Sequence, residues 1–457
     1  MKILSQISLL LIAFFIIASC NKEKTFPPDY PGTFPPTDTI PQDTVPEAFA
    51  IKDIVMYEVN LRAFSSTGDI PGIINRLDEL ESLGVNVIWL MPIHPIGTIN
   101  SVNSPYSVRD YLAVSPEYGT LDDLINLTNE AHTRNMFVIM DWVANHTAWD
   151  NPWINNTSWY TQDGSGNIIS PPGTNWLDVA DLNFSNADMR LAMIDAMKYW
   201  ITTANIDGYR CDYADGVPYD FWKQAIDSLK AIPEKDLIFL AEGNRSDHFT
   251  AGFDLNYGWN YYGTIKDVFD GQAATQIYQT HTNEYNAIPA GKHKLRFTTN
   301  HDESAWDATP MELFNGKDGA LAASAVTIFL GGVPMIYTGQ EVGRQNTVPF
   351  FTNSPINWSE NPDMLEAYKN MIAFYSASEA AKQGGITNYS NVDVVCLKKS
   401  YNTEEILVIV NIRDNQIDFV LPAELSNTTW KDAISGDDIP LEVSLALSNY
   451  KYLLLHK

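Results

Sequence analysis

Residues 206–215 read Ile-Asp-Gly-Tyr-Arg-Cys-Asp-Tyr-Ala-Asp. On an extended strand, Arg210 and Asp212 lie on one face. The cation there keeps the carboxylate ionised and aims it. An aimed carboxylate serves as a nucleophile or a metal ligand; a structural ion pair closing a strand end explains the decapeptide equally well. Similar groups recur after other apolar runs: Asp141, Asn145 and His146 after one, Glu242 after a second, His301 and Asp302 after a third. Glu242 stands between Ala241 and Gly243 with no cation beside it in sequence, a setting in which a carboxyl keeps its proton. No Gly-rich phosphate loop and no Cys/His metal spacing accompanies these carboxylates. That combination points to acid, base and nucleophile work on a neutral substrate.

The elements that must carry these groups follow from periodicity. Strand-like runs fall at 54–64, 85–93, 137–143, 207–212, 237–243, 252–257, 295–300 and 333–338. Helical patterns fall between them at 70–83, 120–134, 185–204, 217–231 and 320–330, with a last helix at 364–377. Thr120 and Asp123 read as a capping box. Eight strands alternating with helices predict an α/β fold, a closed (β/α)8 TIM barrel over 49–146 and 186–382, whose chemistry sits at the C-terminal strand ends. An open doubly wound sheet is the alternative, disfavoured because no Gly-rich loop follows the first strand. The alternation stops at 147–185, a stretch with Trp149, Trp153, Trp159, Tyr160 and Trp176. It is too long for an ordinary loop, so a subdomain is expected after strand 3. Residues 383–457 carry strand-like runs without helices and predict a C-terminal antiparallel β-sandwich.

Composition narrows the partners. A net charge of −27 repels a phosphate backbone and argues against nucleic acid as a ligand, but not against a neutral polymer. The 12 Trp, 22 Tyr and 20 Phe supply core and also faces on which sugars stack. Cys20, Cys211 and Cys396 offer no disulfide framework. Lys2, an uncharged stretch over 3–19 and the ending Ile17-Ala18-Ser19-Cys20 read as a secretion signal over 1–20. The ending resembles a bacterial lipobox. It implies a lipid anchor on Cys20 at a bacterial cell envelope, at the outer membrane surface or the periplasmic face; a plain signal peptide or a retained anchor are the alternatives. Seven prolines within 21–48 make a stiff, extended tether.

The blocks Asp-Trp-Val-Ala-Asn-His (141–146), Gly-Tyr-Arg-Cys-Asp (208–212), Ala-Glu-Gly-Asn (241–244) and Thr-Asn-His-Asp (299–302) resemble, in order, the four signature regions of the α-amylase family of retaining glycoside hydrolases. Val-Ala-Asp-Leu-Asn (179–183) resembles a fifth region, and Ser-Pro-Tyr-Ser-Val-Arg-Asp-Tyr (104–111) the loop after strand 2. The resemblance implies Asp212 as nucleophile, Glu242 as acid and base, and Asp302 as the group that binds hydroxyls of the distorted sugar. Tyr106, His146, Arg210 and His301 are implied around the substrate, with Asp141 bracing Arg210. It also implies Ca2+ ligands at Asn145, Asp181 and the carbonyl of Gly216; a dry hydrogen-bonded junction is the alternative. No organic cofactor is implied, and a monomer is expected. The implied activity is hydrolysis of α-1,4-glucosidic bonds in starch or maltooligosaccharides. An α-glucosidase, a debranching enzyme, a transglycosylase and a non-catalytic glycan-binding lipoprotein are the alternatives. One departure stands out: Asp215 and Gly216 occupy the places where many relatives carry a Lys-His pair contacting the leaving-side sugar.

Overall fold

A computed structural model describes residues 50–457. The secretion signal, the tether and the Cys20 anchor lie outside the described residues.

Eight parallel strands close into a barrel: β1 (Met56–Val59), β2 (Val87–Leu90), β3 (Phe137–Trp142), β6 (Gly208–Cys211), β7 (Ile238–Ala241), β8 (Leu255–Tyr257), β9 (His293–Arg296) and β10 (Val333–Tyr337). Inserted between β3 and β6 are β4 (His146–Ala148) and β5 (Val179–Asp181), paired antiparallel. Helices between the barrel strands cover it from outside, so the strands are buried on both faces and most are apolar runs; β9, His-Lys-Leu-Arg, is the exception. Met56, Trp89, Ile139 and Leu240 pack into the barrel interior with Leu255 and Met335. Side chains alternate along a strand. Glu58, Asp141 and Glu242 each lie two residues beyond one of these interior positions. The register sets Arg210 opposite both Asp141 and Leu240, so it shares their face. Alternation alone thus gathers the charged groups over the barrel's C-terminal mouth. Gly208 is required where β6 meets β7: its φ is +144°, and a Cβ there would lie 1.9 Å from the Ile238 carbonyl oxygen.

Several expected elements take other bounds. The run 54–64 is strand only over β1, because the Asn60 N–H turns to Thr338 Oγ1 (3.0 Å) and leaves the ladder; Leu61–Phe64 is a helical turn. The expected helix 70–83 is two, Ile70–Ile74 and Leu77–Leu83. The expected strand 295–300 is displaced to β9. Asn300 instead caps the next helix, its Oδ1 accepting from the N–H groups of Asp302 (3.0 Å) and Glu303 (2.9 Å). His301 and Asp302 therefore open the helix His301–Trp306 rather than end a strand. The Thr120–Asp123 capping box is present on the helix Leu121–His132.

After the helix Glu379–Gln383 the chain is all β. Strands β11 (Gly385–Asn388), β12 (Val394–Tyr401), β13 (Glu404–Asn411), β15 (Thr428–Asp432), β16 (Asp438–Leu441) and β18 (Tyr452–His456) form one sheet; β14 (Ile417–Val420) pairs with β17 (Ser444–Leu447). Val394, Leu407, Phe419, Trp430 and Leu447 fill the space between the sheets. Cys396 belongs to this core; it and Cys211 are buried and free.

Candidate active site

A cleft of about 530 Å³ opens at the C-terminal strand ends, and Tyr106, His146, Asp212, Glu242, His301 and Asp302 all line it. Arg210, grouped with the substrate-contacting residues from sequence, is fully buried and stands beneath the cleft floor. Its Nη1 donates to both Asp141 oxygens (2.8 and 3.0 Å) and to Asp212 Oδ1 (3.0 Å). Nη2 lies 2.9 Å from Glu242 Oε1, without the alignment of a hydrogen bond. Nε donates to the Tyr257 hydroxyl (3.2 Å), and the Trp89 ring packs 5.0 Å from the guanidinium carbon. Trp89 Nε1 donates to Asp141 Oδ2 (3.2 Å). Asp141 thus braces Arg210, the role that the resemblance implied for it.

The expectation that Glu242 has no cation beside it is overturned. Arg210 comes from the neighbouring strand, where sequence adjacency does not show it. Glu242 nonetheless keeps a raised pKa: burial pushes it up, Arg210 pulls it down, and the charge of Asp302 pushes it up again. Asp212 is raised well above the usual carboxylate range, first by burial and then by the charge of Glu242, with Arg210 opposing. Burial and mutual repulsion raise both carboxyls against the pull of Arg210, joined for Glu242 by that of His301, so Asp212 and Glu242 titrate as an interacting pair. Asp212 receives the aligned Arg210 N–H (3.0 Å) and Glu242 receives the Tyr213 N–H (2.6 Å), so each carboxylate has a hydrogen bond that favours its anion.

His301 organises the opposite wall. Its Nδ1 lies 2.5 Å from Glu58 Oε1 and its Nε2 lies 2.8 Å from the Tyr106 hydroxyl. Burial works against a charge on the ring, but Asp302 and Glu58 outweigh it and raise the pKa to about 9. A cationic ring donates from both nitrogens, which leaves the Tyr106 hydroxyl free to donate onward to Asp141 Oδ2 (3.1 Å). Tyr106 is fixed by this relay and by stacking on His301 (5.3 Å between centroids, 19° between planes). His146 is neutral: burial lowers it to about 4, only partly offset by a contact of its Nε2 with the Tyr106 carbonyl (3.3 Å). Asp302 is the most open of the carboxylates, with 41% of its side chain exposed.

Glu58, Trp89, Tyr257 and Tyr213 escaped the sequence reading. Glu58 carried a usable signal: a glutamate within Met56-Tyr-Glu-Val59, on the parity of Met56, must point into the barrel. Among the suggested metal ligands, Asn145 and Asp181 come together, since His146 faces Asp181 across the β4–β5 ladder and Leu182 N–H donates to the Asn145 carbonyl (3.1 Å). Gly216 lies in the turn Ala214–Gly216 beyond β6, the barrel neighbour of β3. All three offer oxygen, the donor type that Ca2+ prefers. The Asp181 carboxyl is raised by burial and has no cation against it among the described residues.

The chain's resemblance to known proteins agrees with this geometry. The profile of the alpha amylase catalytic domain matches residues 30–165 and 174–383. Alpha-amylase 2 of Dictyoglomus thermophilum is 27% identical over 416 residues, 84% of this chain and 70% of that protein. A probable oligo-1,6-glucosidase 2 of Bacillus subtilis is 26% identical over 65% of this chain and 66% of its own length. The crystal structure of a maltogenic alpha-amylase, AmyB from Thermotoga neapolitana, superposes with a TM-score of 0.79 at 25% identity, covering 90% of this chain and 99% of that one. With its closed barrel, its inserted hairpin and a carboxylate cleft over a buried arginine, this chain belongs to the α-amylase family, glycoside hydrolases that act on α-glucans.

Proposed function

We propose that the protein hydrolyses α-1,4-glucosidic bonds of starch or maltooligosaccharides by double displacement. The observation that carries this reading is the single guanidinium of Arg210, which reaches Asp212 (3.0 Å) and Glu242 (2.9 Å) and sets the two carboxyls side by side. Two carboxyls bridged in this way favour the short spacing of retaining enzymes over the wider gap that admits water in inverting ones. Asp212 attacks the anomeric carbon as the glycosidic C–O bond breaks, and Glu242 passes its proton to the departing oxygen. A β-linked glycosyl ester on Asp212 results. Glu242, now a carboxylate, takes a proton from water; the water oxygen attacks the anomeric carbon and frees Asp212. Asp302 accepts hydrogen bonds from hydroxyls of the distorted sugar, with the imidazolium of His301 holding that side positive. Tyr106 offers its ring to the same sugar.

Maltoheptaose and pullulan test the reading together. The expected result is cleavage of maltoheptaose with the α-anomer formed first, followed by proton NMR before mutarotation. A β-anomer formed first would contradict double displacement, and attack confined to the α-1,6 bonds of pullulan would contradict the linkage. No cleavage of either would leave a glycan-binding protein.

Calcium belongs to the same proposal as a structural ion. Asn145, Asp181 and the Gly216 carbonyl would hold it, tying the insert to two barrel strands. A chelator should then lower the thermal midpoint by about 4 °C or more, reversibly on adding Ca2+. An unchanged midpoint favours the dry junction.

A further inference from the structure

Asp215 and Gly216 replace the residues from which leaving-side contacts were expected, and the structure gives both a different occupation. Asp215 turns back toward the exit of β7. Its carboxylate accepts from the backbone N–H groups of Asn244 (3.3 Å) and Arg245 (3.4 Å) and lies 3.2 Å from His248 Nε2. Arg245 Nη1 returns a hydrogen bond to the Asp215 carbonyl (2.9 Å). Gly243 is pressed against this carboxylate: a Cβ there would stand 2.4 Å from Asp215 Oδ1, at a φ of +147°. Asp215 is therefore spent on the loop that follows Glu242.

Gly216 is a space. A Cβ on it would lie 2.1 Å from Cε1 of Tyr213, so the ring of Tyr213 fills the room a side chain would take. Tyr213 itself is left-handed (φ 43°, ψ 45°), a conformation that bulky residues rarely hold without compensation. Two hydrogen bonds supply it: Tyr213 N–H donates to Glu242 Oε2 (2.6 Å), and Ala214 N–H to the Glu242 carbonyl (3.0 Å). The same backbone turn that fixes Glu242 delivers the Tyr213 ring, 37% exposed, to the wall of the cleft. There it meets Trp176 of the insert edge to face, with centroids 5.1 Å apart and planes at 80°. Trp176 lines the cleft too, and its other neighbour is His146 at 5.6 Å.

We propose that Tyr213 and Trp176 form an apolar platform that receives the sugar on the leaving side of the scissile bond. The proposal rests on Glu242 as the proton donor, because the leaving sugar must lie beside that group. An aromatic pair recognises the C–H face of a pyranose through burial and dispersion. It demands no particular hydroxyl pattern, as a charged pair would. The incoming acceptor in a transfer reaction docks on the same surface. Tyr213 is thereby a specificity residue whose backbone and side chain serve two purposes: one positions the acid, the other holds the group the acid protonates.

The test compares kcat/KM on maltotetraose, which departs as a sugar, with kcat/KM on α-maltosyl fluoride, which departs as fluoride. Tyr213→Ala lowers the ratio of the first to the second by about tenfold or more, and Tyr213→Phe restores it. Trp176→Ala lowers it in the same direction. Gly216→Ala, which must displace the ring, lowers the ratio in the wild-type background and has no further effect in Tyr213→Ala. An equal fall on both substrates would mean a general disturbance of the cleft, and it overturns the platform. A loosened Glu242 would also spare the fluoride, so the pH profile separates the two roles: the platform leaves the alkaline limb of kcat/KM on maltotetraose in place in Tyr213→Ala, and a displaced limb assigns the effect to Glu242 and overturns the platform. An unchanged ratio overturns it as well. Wild-type protein inert on both substrates overturns the hydrolase reading and the platform with it.

Discussion

Asp212→Asn lowers kcat on maltooligosaccharides by about 10⁴-fold or more while the protein stays folded and becomes no less stable. The amide keeps the shape of the carboxylate and can still accept the Arg210 N–H now received by Asp212 Oδ1 at 3.0 Å. It cannot attack the anomeric carbon. The stability half of the prediction follows from charge. Asp212 is buried with Glu242 and Asp141 around one arginine, and burial together with the charge of Glu242 raises its pKa in the folded protein. The folded state then binds more protons than the unfolded chain once pH passes the ordinary Asp value near 3.9. Under that condition stability falls as pH rises, until the folded protein also loses its proton. The amide has no proton to lose in this range, so the variant's advantage over wild type should be greater at pH 8 than at pH 5. Steady-state kinetics and thermal midpoints at the two pH values measure both halves. Turnover within tenfold of wild type would remove Asp212 from the chemistry. A midpoint that drops at pH 8 would mean that the Arg210 bond matters more than the buried charge.

Two regularities made the barrel and most of the cleft readable without coordinates. Apolar runs separated by helical periods gave most of the strands, because a parallel sheet covered by helices on its outside and filled within rarely leaves a polar face to interrupt the run; β9, with buried Lys294 and Arg296, breaks that rule. Strand parity then carried Asp212 and Glu242 to the mouth from Arg210 and Leu240. What stayed hidden depends on neighbours that are distant in sequence. The contact of Arg210 with Glu242 crosses from β6 to β7, and the relay from Glu58 through His301 to Tyr106 joins three segments of the chain. The end of β9 was misplaced because Thr298 and Thr299 read as strand formers, whereas Asn300 claims the next two N–H groups as a helix cap. The left-handed turn at Tyr213 gave no warning at all: a tyrosine is a poor resident of that region, and the hydrogen bonds of Tyr213 and Ala214 N–H to Glu242 account for it.

The roles of the two carboxyls can be separated by stereochemistry. Glu242→Ala should lower kcat on maltotetraose by about 10³-fold, since an unactivated sugar departs poorly without a proton. α-Maltosyl fluoride needs no such proton to depart, so in this variant it still forms the ester on Asp212, and the second step, without a base to deprotonate water, becomes slow. Azide, a nucleophile that requires no base and fits the space left by the carboxymethyl group, should accelerate turnover. It opens the β-linked ester from the opposite face and yields α-maltosyl azide. In Asp212→Ala the same azide can only displace the fluoride directly, which yields the β-azide. Opposite anomers from the two variants, read by the coupling of the anomeric proton, therefore assign nucleophile and acid independently of rate. The pH profile gives a second readout. Burial holds Glu242 above the usual carboxylate range, so the alkaline limb of wild-type kcat/KM on maltotetraose, which follows loss of that proton, should lie above the ordinary Glu value near 4.3. That limb should vanish from the azide reaction of Glu242→Ala. A β-azide from Glu242→Ala would reverse the assignment and make Glu242 the nucleophile. A persistent alkaline limb would move the essential acid to another group, and His301, raised to about 9 beside Asp302, is the one to replace next.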